Sequence, residues 1–457
     1  MLLNHLVSFY SEIGLKTIVH APLNIRRLLL LKTLRNFCYS GVTIILAIYL
    51  KLEGFSPDMI GVFIGMGFLG DLLKTFYLGL ITDTVGRKKL MIWCYVVMFL
   101  TTMIFYLTNI KIIMWLNIVF GIMSTAGAEV SIFRPCEQAA ISQLADFEQR
   151  SDYFTWYVFL GLLGMAAGSG VNGVMISYLQ NTLKWEVADS YRFVFLSMSF
   201  LTLVLMFLCS RLDSEIEYTP VPIDETELTL LDEEEEQEEQ DQTKDHTPPP
   251  AQSRESNAID LLRSPNRLKI TQIVLLYCVD VISKATIMDS WLSYYMVEQF
   301  KTEAKTVGTI FFLINSISAI MSLFGTVICK RYGPIYTMIY THFPCSIFVF
   351  LIPFAPNMVV MLFLLVMRAI FKSMDVGSKT VFITSVVDDN ERTAVLGLQN
   401  SFRILGQVFA PIITGMMANG NMQWVSFLFS ATLRVCVYEV GIIVLFWKDR
   451  NTLGKRK

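Results

Sequence analysis

The segment that decides the fold is a short loop between two long apolar runs. It reads Gly79-Leu80-Ile81-Thr82-Asp83-Thr84-Val85-Gly86-Arg87-Lys88-Lys89. A connection this short between two membrane-length segments must reverse the chain within a few residues. Gly86 suits such a turn because it has no Cβ and tolerates positive φ. Because lysine and arginine resist transfer across a bilayer, the basic end of the loop predicts that it lies on the cytosolic side.

The composition is that of a polytopic membrane protein. The chain has 457 residues, of which 54% are hydrophobic and 17% charged, and its mean hydropathy is +0.52. Soluble domains carry about a quarter charged residues. The net charge of −2 gives no support for nucleic-acid binding. All eight cysteines lie in or beside apolar runs, so we expect no disulfide. The cysteines and the four histidines form no cluster with metal-ligand spacing, and we expect neither metal nor cofactor.

Membrane-length apolar windows occur in two sets separated by a polar break. A helix needs about 20 mainly apolar residues to cross the hydrocarbon core, and each window is about that long or longer. The windows are 28–50, 58–81, 89–108, 112–142, 153–179 and 192–210, then 268–296, 304–329, 334–354, 357–385, 393–417 and 423–447. We therefore predict an all-α membrane protein with 12 transmembrane helices in two six-helix bundles, at 28–210 and 266–447.

The segments outside the bundles are polar or amphipathic. Residues 1–27 predict a cytosolic or interfacial arm, and residues 448–457 a basic cytosolic tail. Residues 211–265 carry an acidic block at 232–239 and three consecutive prolines at 248–250, so we predict a disordered cytosolic linker. Two interpretations of this linker stay open: a solvated tether, or a segment that is phosphorylated or binds a partner.

Loop charge predicts the orientation of the chain in the membrane. Basic residues follow the second, fourth, eighth and tenth windows and fill the C-terminal tail, whereas the loops after the ninth and eleventh windows carry no charge. This distribution places both termini and the linker in the cytosol. It does not distinguish the plasma membrane from a vacuolar or other internal membrane.

The two halves are related by an internal repeat. With an offset of 242 residues, Arg150 corresponds to Arg392, Gly164 to Gly406 and Gly173 to Gly415. Parallel repeats of this kind predict two pseudo-symmetric bundles around a cavity near the midplane. The small residues expected to permit close helix packing are Gly164, Gly168, Gly173, Gly406, Pro411 and Gly415.

The loop motif G-x-x-x-D-x-x-G-R-K-K, the six-plus-six arrangement and the acidic linker together resemble the major facilitator superfamily. The resemblance covers the chain apart from the arm and the linker, and is strongest to fungal members of the drug-exchanger-like branch with unassigned substrate. It implies a gate made by the loop residues Gly79, Asp83, Gly86, Arg87 and Lys88. In the family the loop acid approaches the N-terminus of the eleventh helix when the cavity faces outward. A carboxylate there is favoured by about 0.3–1 kcal/mol. The alternative is that the basic residues set topology only.

Other family motifs are degenerate or absent. The fifth window resembles the antiporter motif of drug exchangers, but Ser169 stands in place of its proline and Asn172 in place of a glycine. Ordinary small-residue packing explains this window equally well. Asn117 occupies the position of the arginine that drug exchangers carry in the fourth helix, which disfavours proton antiport. The chain also lacks the sugar-porter sequence after the sixth window.

Ionisable residues inside apolar windows are candidates for a solute or proton pathway, because each is costly in lipid and usually faces the interior. The candidates are Glu129, Arg134, Glu137, Asp280, Lys284, Asp289, Arg368, Lys372 and Asp375. The alternative for each is a structural ion pair or, for Arg134 and Lys372 near the inner mouth, a role in topology or loop anchoring. We favour the ion pair for Asp71 with Lys74 and for Arg434 with Glu439, which lie outside the helices that line the cavity in this family.

These observations predict a secondary active transporter that moves a small organic solute by alternating access. Together with Lys32 and Arg35 in the first window and Lys379 in the tenth, the candidates comprise seven basic and five acidic residues, and this excess indicates an anionic or zwitterionic solute. Glu129 and Asp280 are candidates to couple protons if burial favours their neutral forms. We expect a monomer whose partners are the bilayer, the solute and, in the coupled case, protons. An alternative is a transceptor or membrane scaffold that signals through the linker. An enzyme is not expected, because the sequence offers no nucleophile–base constellation.

Overall fold

A computed structural model of the chain describes residues 14–124, 133–146, 149–217, 267–374, 378–379, 382 and 392–446. These residues form helices and short connections, and no strand occurs among them. The arm up to residue 13, the acidic part of the linker at 218–266 and the basic tail lie outside the described residues.

The N-terminal half contains long helices that follow the predicted windows. They are α1 (Leu15–Val19), α2 (Leu23–Leu52), α3 (Pro57–Val85), α4 (Arg87–Leu107), α5 (Lys111–Phe120), α6 (Phe133–Leu144), α7 (Arg150–Asn181) and α8 (Val187–Ser210). The single window predicted at 112–142 contains two helices, α5 and α6. A short 3₁₀ turn, Ser214–Ile216, follows α8.

The C-terminal half repeats this plan with two local departures. Its helices are α9 (Arg267–Thr286), α10 (Asp289–Phe300), α11 (Ala304–Tyr332), α12 (Pro334–Leu351), α13 (Met358–Lys372), α14 (Arg392–Asn419), α15 (Gln423–Thr432) and α16 (Val440–Phe446). The window predicted at 268–296 is interrupted before Asp289. A π-helical segment, Leu433–Glu439, joins α15 to α16, where the sequence predicts one uninterrupted helix.

Nine helical stretches of the described chain are long and apolar enough to cross a membrane, and α5 is a shorter apolar helix. The observed architecture is therefore an all-α membrane fold. The count of twelve spans stays a prediction, because the windows containing α5, α6, α13 and α14 are only partly described or fall outside these nine stretches.

The two halves meet closely at one end, which we call the far end; it lies beside Gly54 and Lys301. The opposite end, beside Gly86, is called the linker end. At the far end α7 crosses α11, where a Cβ added to Gly173 would lie 2.8 Å from Cα of Gly308. On the other side α3 crosses α14, where a Cβ added to Gly415 would lie 2.9 Å from Cα of Gly61. Glycine permits both crossings because any side chain would strike backbone.

The other predicted packing residues lie at crossings as well. A Cβ on Gly164 or Gly168 would lie 2.2 Å from a carbonyl oxygen of α2, so these two glycines fit α7 against α2 inside the N-terminal half. Gly406 lies against side chains of α9, and the carbonyl oxygen of Pro411 faces Gly61. The small residues thus serve contacts both within and between the halves.

Candidate functional site

An ion pair in the middle of the N-terminal half joins α2 to α6. Arg35 donates two hydrogen bonds to Glu137, of 2.7 and 2.6 Å, and both side chains are fully buried. Arg35 also donates to the Tyr95 hydroxyl at 2.9 Å, and the Tyr157 hydroxyl donates to Glu137 at 2.8 Å. The guanidinium lies 4.5 Å from the centre of the Phe133 ring. This pair is therefore neutralised within its own half.

The other predicted residues of this half are placed differently. Arg134, which lies within a turn of Glu137 in the sequence, is exposed at the start of α6. Glu129 lies outside the described residues. The ion pair expected between Asp71 and Lys74 is confirmed, at 3.0 Å. Arg35 lies in the first apolar window, 28–50, and nothing in the sequence identifies its partner.

The C-terminal half contains a second buried charge cluster, here called the C-half cluster: Asp280, Lys284, Lys379 and Arg434. The carboxylate of Asp280 lies 3.3 Å from Nζ of Lys284 and 3.3 Å from Nε of Arg434, and it also contacts Nζ of Lys379. The side chain of Asp280 is 3% exposed, whereas that of Lys284 is 38% exposed. One face of the cluster is therefore open while the carboxylate itself is enclosed.

The two buried sites are related by the internal repeat, with opposite polarity. Lys379 follows Glu137 by 242 residues, the repeat offset. In the N-terminal half the first long helix supplies the cation and the fourth segment the anion. In the C-terminal half α9 supplies the anion, Asp280, and the fourth segment supplies the cation. The N-terminal half therefore holds an enclosed, hydrogen-bonded ion pair. The equivalent place in the C-terminal half holds the C-half cluster, which is more cationic and partly open.

A further pair lies near the C-half cluster. Nζ of Lys372 lies 3.5 Å from Asp289, with 38% of the lysine side chain exposed and 8% of the aspartate side chain. Arg368, one turn earlier on α13, is buried, and its carbonyl accepts a long hydrogen bond from the Cys345 thiol. Asp375 lies outside the described residues. Lys284 and Lys372 thus each combine a partly exposed side chain with a buried aspartate partner, Asp280 and Asp289 respectively.

One expected pair is wrong. The sequence favours an ion pair between Arg434 and Glu439, but Arg434 contacts Asp280, and Glu439 contacts His342 instead. Each residue pairs across a helix interface instead of within its own segment, Arg434 with Asp280 on α9 and Glu439 with His342 on α12. A histidine inside an apolar window was the signal available for this contact, and sequence reasoning did not use it.

The loop at residues 79–89 turns at the linker end. Gly86 adopts φ of 96°, the positive value that the turn requires. The Arg87 guanidinium is buried and donates to Gln143 at 2.8 Å and to the carbonyl of Ile216 at 3.2 Å. A Cβ on Gly79 would meet nothing within 4 Å in this conformation. The side chain of Asp83 is outside what the structure describes.

The start of the linker is built into this loop, although the sequence predicts disorder from residue 211. The Glu217 carboxylate accepts from the backbone N–H of Arg87 at 2.6 Å and of Lys88 at 3.3 Å. Lys88 donates to the carbonyl of Leu212 at 2.6 Å, and Ile216 is fully buried. An acid at the N-terminus of α4 and an apolar anchor explain why these residues are ordered.

The far end carries polar contacts between the halves. Nζ of Lys51, near the end of α2, lies 2.7 Å from Glu298 on α10. The same ammonium lies 5.4 Å from the centre of the Tyr294 ring. Deeper in the interface, the Ser293 hydroxyl donates to the carbonyl of Ile44. In contrast, the contacts given above for Arg87 and Lys88 at the linker end are all made within the N-terminal half and the linker start.

This architecture is that of a membrane transport protein. A family model described as Major Facilitator Superfamily matches residues 28–370 and 273–457, and the chain belongs to this superfamily. An uncharacterized membrane protein of Saccharomyces cerevisiae is 25% identical over 408 residues, covering 88% of this chain and 89% of the yeast protein.

Solved structures show the same fold at low sequence identity. A D-xylose–proton symporter superposes with a TM-score of 0.68 at 14% identity, covering 92% of this chain and 97% of the symporter. A bacterial homolog of the human lysosomal transporter Spinster, inward-facing and unoccupied, gives 0.69 at 13% identity, covering 92% and 96%. The nucleoside transporter NupG gives 0.63 at 15% identity, covering 95% and 100%. These likenesses establish the fold.

Proposed function

We propose that the chain is a secondary active transporter that moves a small organic solute with an acidic group by alternating access. Membership of the superfamily supports membrane transport. The observation that supports an acidic group is the C-half cluster, where Lys284, Lys379 and Arg434 surround the single carboxylate of Asp280. Charged groups inside a membrane protein usually mark the solute or ion pathway.

The two halves differ in a way that suits one-sided solute binding. The Arg35–Glu137 pair is fully buried and its oxygens are hydrogen-bonded, so it has no open face for a solute. Lys284 and Lys372 are each 38% exposed, and each also contacts a buried aspartate. A solute carboxylate or phosphate is therefore expected to reach the C-terminal half first, with lysine acting as an adaptable point charge.

The described contacts support a conformation that is closed at the far end. There the glycine crossings and the Lys51–Glu298 contact join the halves. At the linker end Gly79 faces open space. In the alternating-access cycle we propose that Asp83 and Arg87 lock the linker end when the far end opens, with the linker end and both termini in the cytosol.

Transport is tested with purified protein in proteoliposomes and a defined, isotope-labelled mixture of organic acids, amino acids, sugars and nucleosides. Mass spectrometry identifies the solutes that exchange across the membrane. We expect exchange of one or a few solutes that carry a carboxylate or phosphate, and at least tenfold less exchange in Lys284→Ala and Lys379→Ala. Lys16→Ala, in the short helix α1, is the control and leaves exchange unchanged. Exchange restricted to sugars or nucleosides would contradict the acidic-solute assignment.

A second candidate function is signalling through the linker, and one observation favours it. The linker start occupies the N-terminus of α4 through Glu217 and contacts Lys88 through the Leu212 carbonyl. A partner or modification acting on the linker would therefore act next to the proposed gate loop. Deletion of residues 225–255 separates the two functions. If the protein is a transceptor, the deletion abolishes its signal and leaves solute exchange intact. If the linker is only a tether, the deletion changes neither the cellular phenotype nor solute exchange.

A further inference from the structure

The strongest feature outside the solute site is a buried acid–base pair between α12 and the π-helical segment. Nδ1 of His342 lies 3.0 Å from Oε1 of Glu439. Both residues are buried, with 0% and 3% of their surface exposed. The contact is an ion-pair distance only, and within the described part of the chain neither carboxylate oxygen of Glu439 accepts a hydrogen bond. A carboxylate enclosed in this way is costly unless a proton or a cation compensates it.

We propose that His342 and Glu439 form a proton-binding site that couples transport to protons, separate from the place where the solute binds. This inference rests on the proposed transport function. The site takes one proton from water on one side of the membrane, holds it between Nδ1 of His342 and Oε1 of Glu439, and returns it to water on the other side. With the proton bound the pair is neutral overall, and without it the pair carries one negative charge.

The π-helical segment physically connects this pair to the C-half cluster. In a π-helix the backbone N–H of residue i+5 bonds to the carbonyl of residue i, so Glu439 lies one turn after Arg434. Arg434 in turn contacts Asp280 at 3.3 Å. An uncompensated charge on Glu439 attracts the Arg434 guanidinium and so weakens its hold on Asp280. Proton release thereby changes the charge that the solute site presents.

Several other ionisable groups surround the pair and act on it. The Tyr438 ring lies 5.4 Å from the His342 ring and 5.6 Å from Nζ of Lys379, and Tyr277 lies beyond it at 6.1 Å. Nη1 of Arg434 lies 3.7 Å from Sγ of Cys345. The full set on the neighbouring segments is Tyr277, Asp280 and Lys284 on α9, Cys345 on α12, Arg368 and Lys372 on α13, Lys379, and Arg434, Cys436 and Tyr438 on the π-helical segment. Cations outnumber carboxylates in this set.

The first test separates exchange from coupled accumulation in proteoliposomes, using the labelled organic acids of the mixture described above. Wild-type protein is expected to exchange labelled solute at equal pH and to accumulate it under an imposed pH gradient. Glu439→Gln and His342→Gln should retain exchange within about twofold and lose at least tenfold in gradient-driven accumulation. Asp71→Asn removes another buried, paired carboxylate in the other half and should retain both activities.

Each other outcome has a defined meaning. Accumulation by Glu439→Gln at the wild-type level overturns the proton site. Equal loss of exchange and accumulation also overturns it, because the pair would then serve solute binding or folding. Wild-type exchange with no response to a pH gradient overturns the coupling and leaves transport intact.

A second measurement needs no solute and so stands independently of the transport proposal. Infrared difference spectra of the purified protein are recorded between about pH 5 and about pH 8, the range in which histidine usually changes charge. We expect a component in the wild-type spectrum that is absent from both His342→Gln and Glu439→Gln and retained in Asp71→Asn. Identical spectra for the wild type and the two pair variants overturn the proposal, whatever the transport assays give.

Discussion

Breaking the Arg35–Glu137 pair should strongly destabilise the N-terminal half. In Glu137→Gln the guanidinium of Arg35 stays buried but loses its bidentate carboxylate. Removing one partner of a buried ion pair costs about 3–5 kcal/mol. For a unit of roughly 150–250 residues each kcal/mol lowers Tm by about 2–4 °C, so we expect a decrease of about 6–20 °C.

Buried cysteines provide the assay for this decrease. Cys38, Cys94, Cys136 and Cys209 are all buried in the same half, so a thiol-reactive dye reports their exposure as the half unfolds. The measurement uses a background in which the four cysteines of the C-terminal half, Cys278, Cys329, Cys345 and Cys436, are replaced by alanine, so that only the N-terminal half reacts.

Two further variants make the outcome decisive. Asp213→Asn breaks the exposed contact with Arg27 and should cost less than about 1 kcal/mol. The double change Arg35→Met with Glu137→Leu removes both charges and should recover most of the lost stability. A Glu137→Gln protein with Tm within about 3 °C of its background, or a double variant as unstable as the single one, would refute the reasoning.

Three further predictions concern the loop, the far end and the solute site. Glu217→Gln removes the carboxylate at the α4 N-terminus, worth about 0.3–1 kcal/mol, and should speed amide hydrogen exchange at residues 214–217; unchanged exchange there contradicts the anchoring. In Gly173→Ala the added Cβ meets the backbone of Gly308, whereas in Gly170→Ala it meets the Phe312 side chain at 3.3 Å. The decrease in Tm should therefore be several-fold larger for Gly173→Ala. Equal decreases would argue against close packing at the crossing. Asp280→Asn should change the exchange rate of labelled organic acids more than that of neutral solutes, and an equal change of both would count against the cluster as the acid-binding site.

Features that depend on residues close together in the sequence could be predicted. Apolar windows predict the helices, and a glycine between two such windows predicts the turn with positive φ at Gly86. Ion pairs spaced by one turn, Asp71 with Lys74 and Asp280 with Lys284, are also visible, because residues three or four apart lie on one helical face.

Partnerships between helices could not be predicted. Arg35 and Glu137 are 102 residues apart, and no spacing rule connects them. A sequence shows which helix carries a charge, whereas the rotation and tilt of packed helices decide which partner that charge meets. Arg434 and Glu439 illustrate the failure: they lie five residues apart in one segment, yet each pairs with a residue of another helix, Asp280 on α9 and His342 on α12.

The order of the linker start was also hidden. Composition averaged over residues 211–265 is dominated by its acidic block, which predicts disorder. The first residues differ from the rest, because Ile216 is apolar and buried and Glu217 meets the N-terminus of α4. A composition argument cannot detect an anchor of a few residues whose docking site is formed by distant segments.

Alternating access is tested most directly by distances measured at both ends of the same protein. Spin labels at Thr84 and Tyr332 report the linker end, and labels at Leu183 and Met422 report the far end; all four residues are exposed. Lys51→Glu replaces the attraction to Glu298 with repulsion, and an exposed bridge of this kind is worth about 0.2–1 kcal/mol. Electron double resonance should show longer far-end distances and shorter linker-end distances in Lys51→Glu. The charge-swapped pair, Lys51→Glu with Glu298→Lys, should restore the wild-type distribution. Both ends lengthening together, or the far end lengthening with no change at the linker end, would contradict alternating access in this protein.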